Sequence, residues 1–340
     1  MSSLYYKFHS LVGRNLFLIE RILVAAGLAA VIYGLTQSIR VYPQYWDVVI
    51  IGVVFLLTLW SPVAGYFLAV LAACYPLFTI SIYVAVLFLA VAIIGQHVFI
   101  QNLSATLLTL ASPLLGGIYI AWAIPLLGGL WWGPAAGAAM GALAALWGQL
   151  FAGMAGLPPD WLNLLGVLPD VRFFGTSFSS ANSFETLRLL FAPFAPNPTT
   201  LLYYVLQIAS WAFAGWLVGM LTGKEWAQYH RPRATLALVA AGAPVLALLH
   251  ILPALWLGVA IRPQAWESLG YASLYSALVA VVLEVGAYFF EYPIPLPRPQ
   301  AGRVRESQPP ISAPAPLAPA NLPPMGNEDK SDDLIMLELD

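Results

Sequence analysis

The chain has 340 residues, of which 60% are hydrophobic and 9% are charged, against about 25% charged in an ordinary soluble domain. No Asp, Glu, Lys or Arg occurs between Asp47 and Asp160, and a segment of that length folding in water would need polar groups to cover its surface. A soluble globular domain is therefore excluded. With a net charge of −2 there is also no basic excess to neutralise phosphates, which argues against a nucleic-acid partner.

The expected class is an all-α polytopic transmembrane helix bundle in contact with the lipid bilayer. Residues 1–17 form an interfacial segment. Lys7, Arg14 and Arg21 recur every seven residues and line one helical stripe, while Leu4, Phe8, Leu11 and Val12 lie on another face. That pattern predicts an amphipathic helix over 4–16 on the inner membrane surface. No small-residue cleavage site followed by soluble sequence marks a cleavable signal, so the first span is expected to stay.

Residues 18–292 form the membrane domain. A helix needs about 20 apolar residues to cross the hydrocarbon core. Stretches at 18–39, 47–73, 77–99, 106–131, 133–155, 201–222, 234–260 and 269–290 qualify, so about eight spans are expected, within a range of about 7–10. The second is interrupted at Pro62, and the fourth carries Pro113 and Pro125. Either reads as one kinked helix or as two short pieces. Cys74 is the one cysteine and cannot make an intrachain disulfide.

Lys and Arg in the flanks set orientation. Lys7, Arg14, Arg21, Lys224, Arg231, Arg233, Arg298, Arg303 and Arg305 fall on one side, against Arg40, Arg172, Arg188 and Arg262 on the other. Both termini are thus expected in the cytoplasm, with the chain in the inner (plasma) membrane of the cell. The outer loop 156–200 is longer than a connection needs. It opens on Pro158-Pro159-Asp160-Trp161 and contains a capping-box spacing, Asn182 to Glu185. Phe184, Leu187, Leu190 and Phe191 then share a face of a short interfacial or lid helix that ends at Pro193.

Glycine rows at Gly133, Gly137 and Gly141, and at Gly215, Gly219 and Gly223, predict close helix packing between the fifth and sixth spans. Glu284 is the ionisable residue set well inside a span, which makes it a functional candidate. Arg21 enters the first span at a similar level and is its expected ion-pair partner; a proton or cation relay, a protonated carboxyl, and snorkelling towards Arg231 and Arg233 are the other readings. A second candidate is neutral. Gln149, Gln207 and His250 fall in the outer halves of three spans, with Trp211 near them, as in a small-solute pocket; interhelical hydrogen bonding is the alternative.

HExxH, GxSxG, CxxC, Walker A and GxGxxG patterns are missing. No enzyme activity, cofactor or metal is expected. The four histidines, at 9, 97, 230 and 250, are not at metal-ligand spacing. Residues 293–327 form a Pro-rich disordered linker. Residues 328–340 mix acidic groups with Leu334, Ile335, Met336, Leu337 and Leu339, the composition of a docking peptide for a cytoplasmic protein partner.

Two stretches resemble known families. Pro125-Leu-Leu-Gly-Gly-Leu-Trp-Trp-Gly-Pro134, running on to Gly137 and Gly141, resembles the Gly-Pro-x-x-Gly helices of the S subunits of energy-coupling-factor vitamin transporters. That resemblance implies solute binding, with Ala25 and Ala29, or Ala26 and Ala30, facing a coupling partner. Those subunits have fewer spans and lack this tail. The stretch from Ser61-Pro-Val-Ala-Gly65 to Gly219, including Ala152 to Asp160, is similar to bacterial membrane modules of unresolved function, sometimes fused to Ser/Thr kinase domains. No kinase motif is present here, so this second resemblance implies an anchor only. Solute binding or transport is the leading expectation. A non-catalytic scaffold displaying the tail is the other.

Overall fold

The computed structural model describes residues 15–38, 41–168 and 181–291, with positions 173, 176 and 178. The expectations for the segment before residue 15, for the linker 293–327 and for 328–340 lie outside the described residues. Every described element is helical, and the chain is an all-α, multi-pass membrane bundle. Among the described residues, seven helices are long and apolar enough to cross a bilayer. They turn large apolar side chains outward, Leu23, Leu56, Ile94, Leu252 and Leu278 among them. In hydrocarbon an outward apolar face costs nothing, while every backbone polar group must be paired inside the helix.

Helix α1 (Leu16–Ser38) is followed by α2 (Trp46–Trp60), α3 (Pro62–Ile80) and α4 (Ile82–Gln101). The single span expected over 47–73 is thus two helices. Ser61 is extended, and its hydroxyl accepts from the Ala64 N–H at 3.4 Å. Pro62 occupies the first turn, where its missing N–H is not needed. The proline therefore starts a new helix instead of kinking an old one. The Tyr42 hydroxyl donates to the Ala72 carbonyl at 2.8 Å, although residues thirty apart in a straight helix would be about 45 Å apart. So α3 runs back along α2. Ser81 makes the same kind of reversal, and Tyr66 bonds the Ala92 carbonyl at 2.8 Å across it. At 15 residues, α2 spans only about 22 Å.

The expected fourth span, 106–131, is also corrected. It divides into α5 (Leu103–Leu110), α6 (Ser112–Gly117), a turn with Tyr119 at φ 62°, and the start of α7 (Ala123–Met154). Helix α7 is itself two arms joined at Gly133, where φ is 81° and ψ −175°, a conformation open to glycine. A Cβ on Gly137 would lie 2.7 Å from the Gly129 Cα; in a straight helix those residues are about 12 Å apart. The first arm therefore folds back on the second. Residues 121–130 are all buried, and the arm is about 15 Å long. It is a re-entrant half-helix, and such a segment is tolerated at membrane depth only when enclosed by protein.

Among the described helices, the largest interface is that of α10 (Pro198–Thr222) with α7. Gly137 faces Gly215, Gly141 faces the Trp211 carbonyl, and Gly219 faces Gly133 and Pro134. The two glycine rows thus cross antiparallel. Two expected members do not act as spacers. Gly133 is the break, with open space where its Cβ would be, and Gly223 would meet only ordinary contacts within its own turn. Gly129, on the first arm, takes their place: its Cβ would lie 2.5 Å from the Gly215 carbonyl oxygen.

The remaining elements are α8 (Trp161–Leu164), α9 (Ser183–Phe191), α11 (Glu225–Tyr229), α12 (Arg231–Trp256) and α13 (Pro263–Glu291). Asn182 caps α9 by accepting from the Glu185 N–H at 2.9 Å. Of the expected apolar face only Leu190 docks, while Phe184, Leu187 and Phe191 are exposed. Ile80 and Val84 pack with Ala155, Phe178 and Leu190, so the α3–α4 junction and the 156–197 loop share one end of the bundle. This is called the loop end below.

Candidate functional site

Beneath the loop, the second arm of α7, α10 and α12 each contribute polar groups from otherwise apolar helices. Gln149, Gln207 and His250 are all fully buried. Gln149 Nε2 donates to Gln207 Oε1 at 3.0 Å and to the Tyr204 carbonyl at 3.4 Å. Gln207 Nε2 donates to Asp160 Oδ1 at 2.7 Å, and its Oε1 also accepts the Trp161 N–H at 3.2 Å. The two glutamines are therefore neighbours in one network, and Asp160 is its hub.

Asp160 caps the short α8, accepting the Leu162 N–H at 3.0 Å. The Tyr203 hydroxyl reaches the same Oδ1 at 3.1 Å, and Asn163 Nδ2 reaches Oδ2 at 2.7 Å. Burial pushes the carboxyl pKa up, while the bonds from Gln207, Leu162, Tyr203 and Asn163 pull it down; the net shift is upward. Desolvation disfavours the charged form more than these donors stabilise it.

His250 is reached through aromatic rings. Trp161 lies on Trp211 with centroids 4.5 Å apart. Trp211 Nε1 donates to His250 Nε2 at 3.0 Å, and His250 Nδ1 is 2.8 Å from the Leu246 carbonyl. A carbonyl only accepts, so Nδ1 carries the proton and the ring is the neutral tautomer with both nitrogens engaged. That leaves no lone pair for a metal. Trp122, at the head of the re-entrant arm, packs 5.3 Å from the His250 ring.

Two polar atoms of this region, Gln149 Oε1 and Trp122 Nε1, are buried without a hydrogen-bond partner among the described residues. Buried polar groups are nearly always paired, so an acceptor and a donor stand open here. Trp161 fills the contact between Gly116 and Gly148, where a Cβ on Gly148 would collide with its ring. Asp160 and Trp161 were missed as site residues. The usable signal was an Asp with an Asn three residues on, framing an apolar turn directly after Pro158-Pro159.

The other expected cluster is rearranged. Glu284 is 3% exposed. Its Oε2 accepts Trp131 Nε1 at 2.6 Å, and its Oε1 accepts Arg231 Nε at 3.3 Å. Arg231, not Arg21, meets this carboxylate, because α12 packs on α13 and brings its first residue to that level. Trp131 ends the re-entrant arm, so the pair also pins that arm opposite the loop end.

An apolar groove of about 420 Å³ lies on the outer face between α10 and α12, lined by Leu206, Ala209, Phe213, Leu252, Pro253 and Trp256 among others. None of Gln149, Gln207 and His250 lines it. Ala25 and Ala29 are buried, and Ala26 and Ala30 are exposed. The chain matches no protein-family model, no curated protein and no solved structure.

Proposed function

We propose that this membrane protein binds or moves a small neutral solute between the second arm of α7, α10 and α12, under the loop 156–197, in the inner membrane with both termini in the cytoplasm. The observation that carries the reading is the pair of unpartnered buried atoms, Gln149 Oε1 and Trp122 Nε1, in the core that holds the tilted and edge-on rings of Trp161, Trp211 and His250. A planar solute with one donor and one acceptor would satisfy both atoms and lie against aromatic faces. The closed packing fits an occluded form that opens when α8 lifts. A re-entrant half-helix buried in the bundle is a device that transporters use around solute sites, and the resemblance of residues 125–141 to S subunits points the same way. No step of this function requires catalysis or a cofactor.

The test is a thermal-stability screen of the protein in nanodiscs with nicotinamide, uracil and thymine, repeated on Gln149→Leu. Stabilisation of the native protein that disappears in the variant supports the reading. A shift unchanged in Gln149→Leu, or no shift with any of the three, counts against it.

A second reading has an observation of its own. Gln149, Gln207 and His250 are fully buried and largely satisfied by one another, as in a rigid scaffold. On that reading the chain holds 328–340 for a cytoplasmic partner, and deleting 328–340 changes the proteins recovered with it.

A further inference from the structure

Asp160 is a carboxylate 7% exposed, and among the described residues no cation is paired with it. Its four described neighbours are all donors. Oδ1 receives the Leu162 N–H, the Tyr203 hydroxyl and Gln207 Nε2, and Oδ2 receives Asn163 Nδ2. A metal ion needs oxygen ligands with free lone pairs, and this shell turns hydrogens inward. A proton, in contrast, fits with one local change. The neutral acid keeps Oδ1 as a carbonyl for its three donors. Oδ2 takes the proton and donates it to Asn163, whose side-chain amide turns over to present its oxygen. Asn163 is half-buried, the least enclosed of the four donors, so the proton enters and leaves on its side.

We propose that Asp160 is a proton-binding site whose occupancy governs how firmly residues 156–164 are seated on the bundle. The proton comes from water and returns to it. Among the described residues, the remaining titratable groups that face the carboxylate are the Tyr203 and Tyr204 phenols of α10. The second arm of α7 presents neutral Gln149, α6 presents Gly116 to the Trp161 ring, and α13 adds Ala265 and Leu269 to the core that holds α8. Burial raises the pKa of the seated carboxyl, whereas an unseated, hydrated aspartate titrates at about 3.9. The seated form therefore binds the proton more tightly, so acidification favours seating and deprotonation favours release. Because Gln207 bridges Asp160 to Gln149, the solute site senses the same proton; that consequence alone rests on the function proposed above.

Infrared difference spectra of the intact protein in nanodiscs, recorded from about pH 8 to about pH 4, test the proposal. The native protein is expected to develop a carboxylic-acid carbonyl band with a midpoint above that of ordinary aspartate, and Asp160→Asn is expected to lack it. Tyr203→Phe removes a donor to the charged form, which moves the midpoint to higher pH. Hydrogen exchange over 157–165, compared between native and Asp160→Asn at each pH so that the intrinsic rate cancels, is expected to match at low pH and to be faster in the native protein at high pH. A band that persists in Asp160→Asn, no band in the native protein, or an exchange ratio independent of pH overturns the proposal. If Asp160→Asn does not fold, the Tyr203→Phe midpoint decides, and an unmoved midpoint overturns it.

Discussion

Replacing Gln207 with Leu probes the network at its most connected side chain. The substitution keeps an apolar body of similar size but removes three bonds: the 2.7 Å donation to Asp160, the 3.0 Å bond from Gln149 and the 3.2 Å bond from the Trp161 N–H. Asp160 Oδ1 keeps two donors, Leu162 and Tyr203, and Gln149 Nε2 keeps the Tyr204 carbonyl. The Trp161 N–H, however, loses its partner at a fully buried residue. Each stranded buried group costs about 1–3 kcal/mol, and one is fully stranded while two are weakened. The expected loss is about 3 kcal/mol, well above the ~0.6 kcal/mol average for a membrane hydrogen bond. The assay is equilibrium unfolding in mixed detergent micelles with rising SDS, followed by tryptophan emission. A loss below about 1 kcal/mol would refute the idea that this network seats α8, and would reduce it to ordinary interhelical bonding.

Three further outcomes follow from the same structure. Arg231→Ala leaves the buried Glu284 carboxylate with only Trp131, so it should lower the unfolding midpoint more than Glu284→Gln, and the double variant should recover part of the loss; equal midpoints for the two single variants contradict the pairing. Gly137→Ala places a Cβ 2.6 Å from the Gly215 carbonyl oxygen and should cost about 1–3 kcal/mol by overpacking, whereas Gly223→Ala, with its nearest contact at 3.6 Å, should be close to neutral in the same SDS titration. With the Asp160 pKa raised in the folded state, the folded protein binds more protons than the unfolded one between the two pKa values. The stability of the native protein relative to Asp160→Asn should therefore rise as pH falls through that window, and a difference that falls instead has the wrong sign for this environment.

Much of the bundle was legible because hydrocarbon sorts residues so strongly. Gln149, Gln207, His250 and Glu284 stood out as polar groups in apolar runs, and the structure makes all four buried hydrogen-bonding residues. What hydropathy could not read was direction. An all-apolar stretch looks the same whether it continues or folds back, so the reversals at Ser61 and Gly133 merged into longer spans on paper. The physical cues were local: an extended serine capping a Pro-initiated helix, and a glycine whose left-handed φ precedes a proline. Pairing was equally hidden. Arg21 and Arg231 enter at the same end of their spans, and only the contact of α12 with α13 selects Arg231 for Glu284. Asp160 escaped attention because it sits outside the spans, where a carboxylate is unremarkable. Its burial comes from Tyr203 and Gln207, more than forty positions along the chain.

The claim at the centre of this account is that Gln149 Oε1 and Trp122 Nε1 are kept for a solute. A side-chain-resolution density map of the protein in nanodiscs with nicotinamide present tests it most directly. The account predicts planar density at hydrogen-bond distance from both atoms, against the Trp161, Trp211 and His250 rings, and its loss in Gln149→Leu. A map in which both atoms are saturated by protein groups, with nicotinamide present and no density between them, would contradict it.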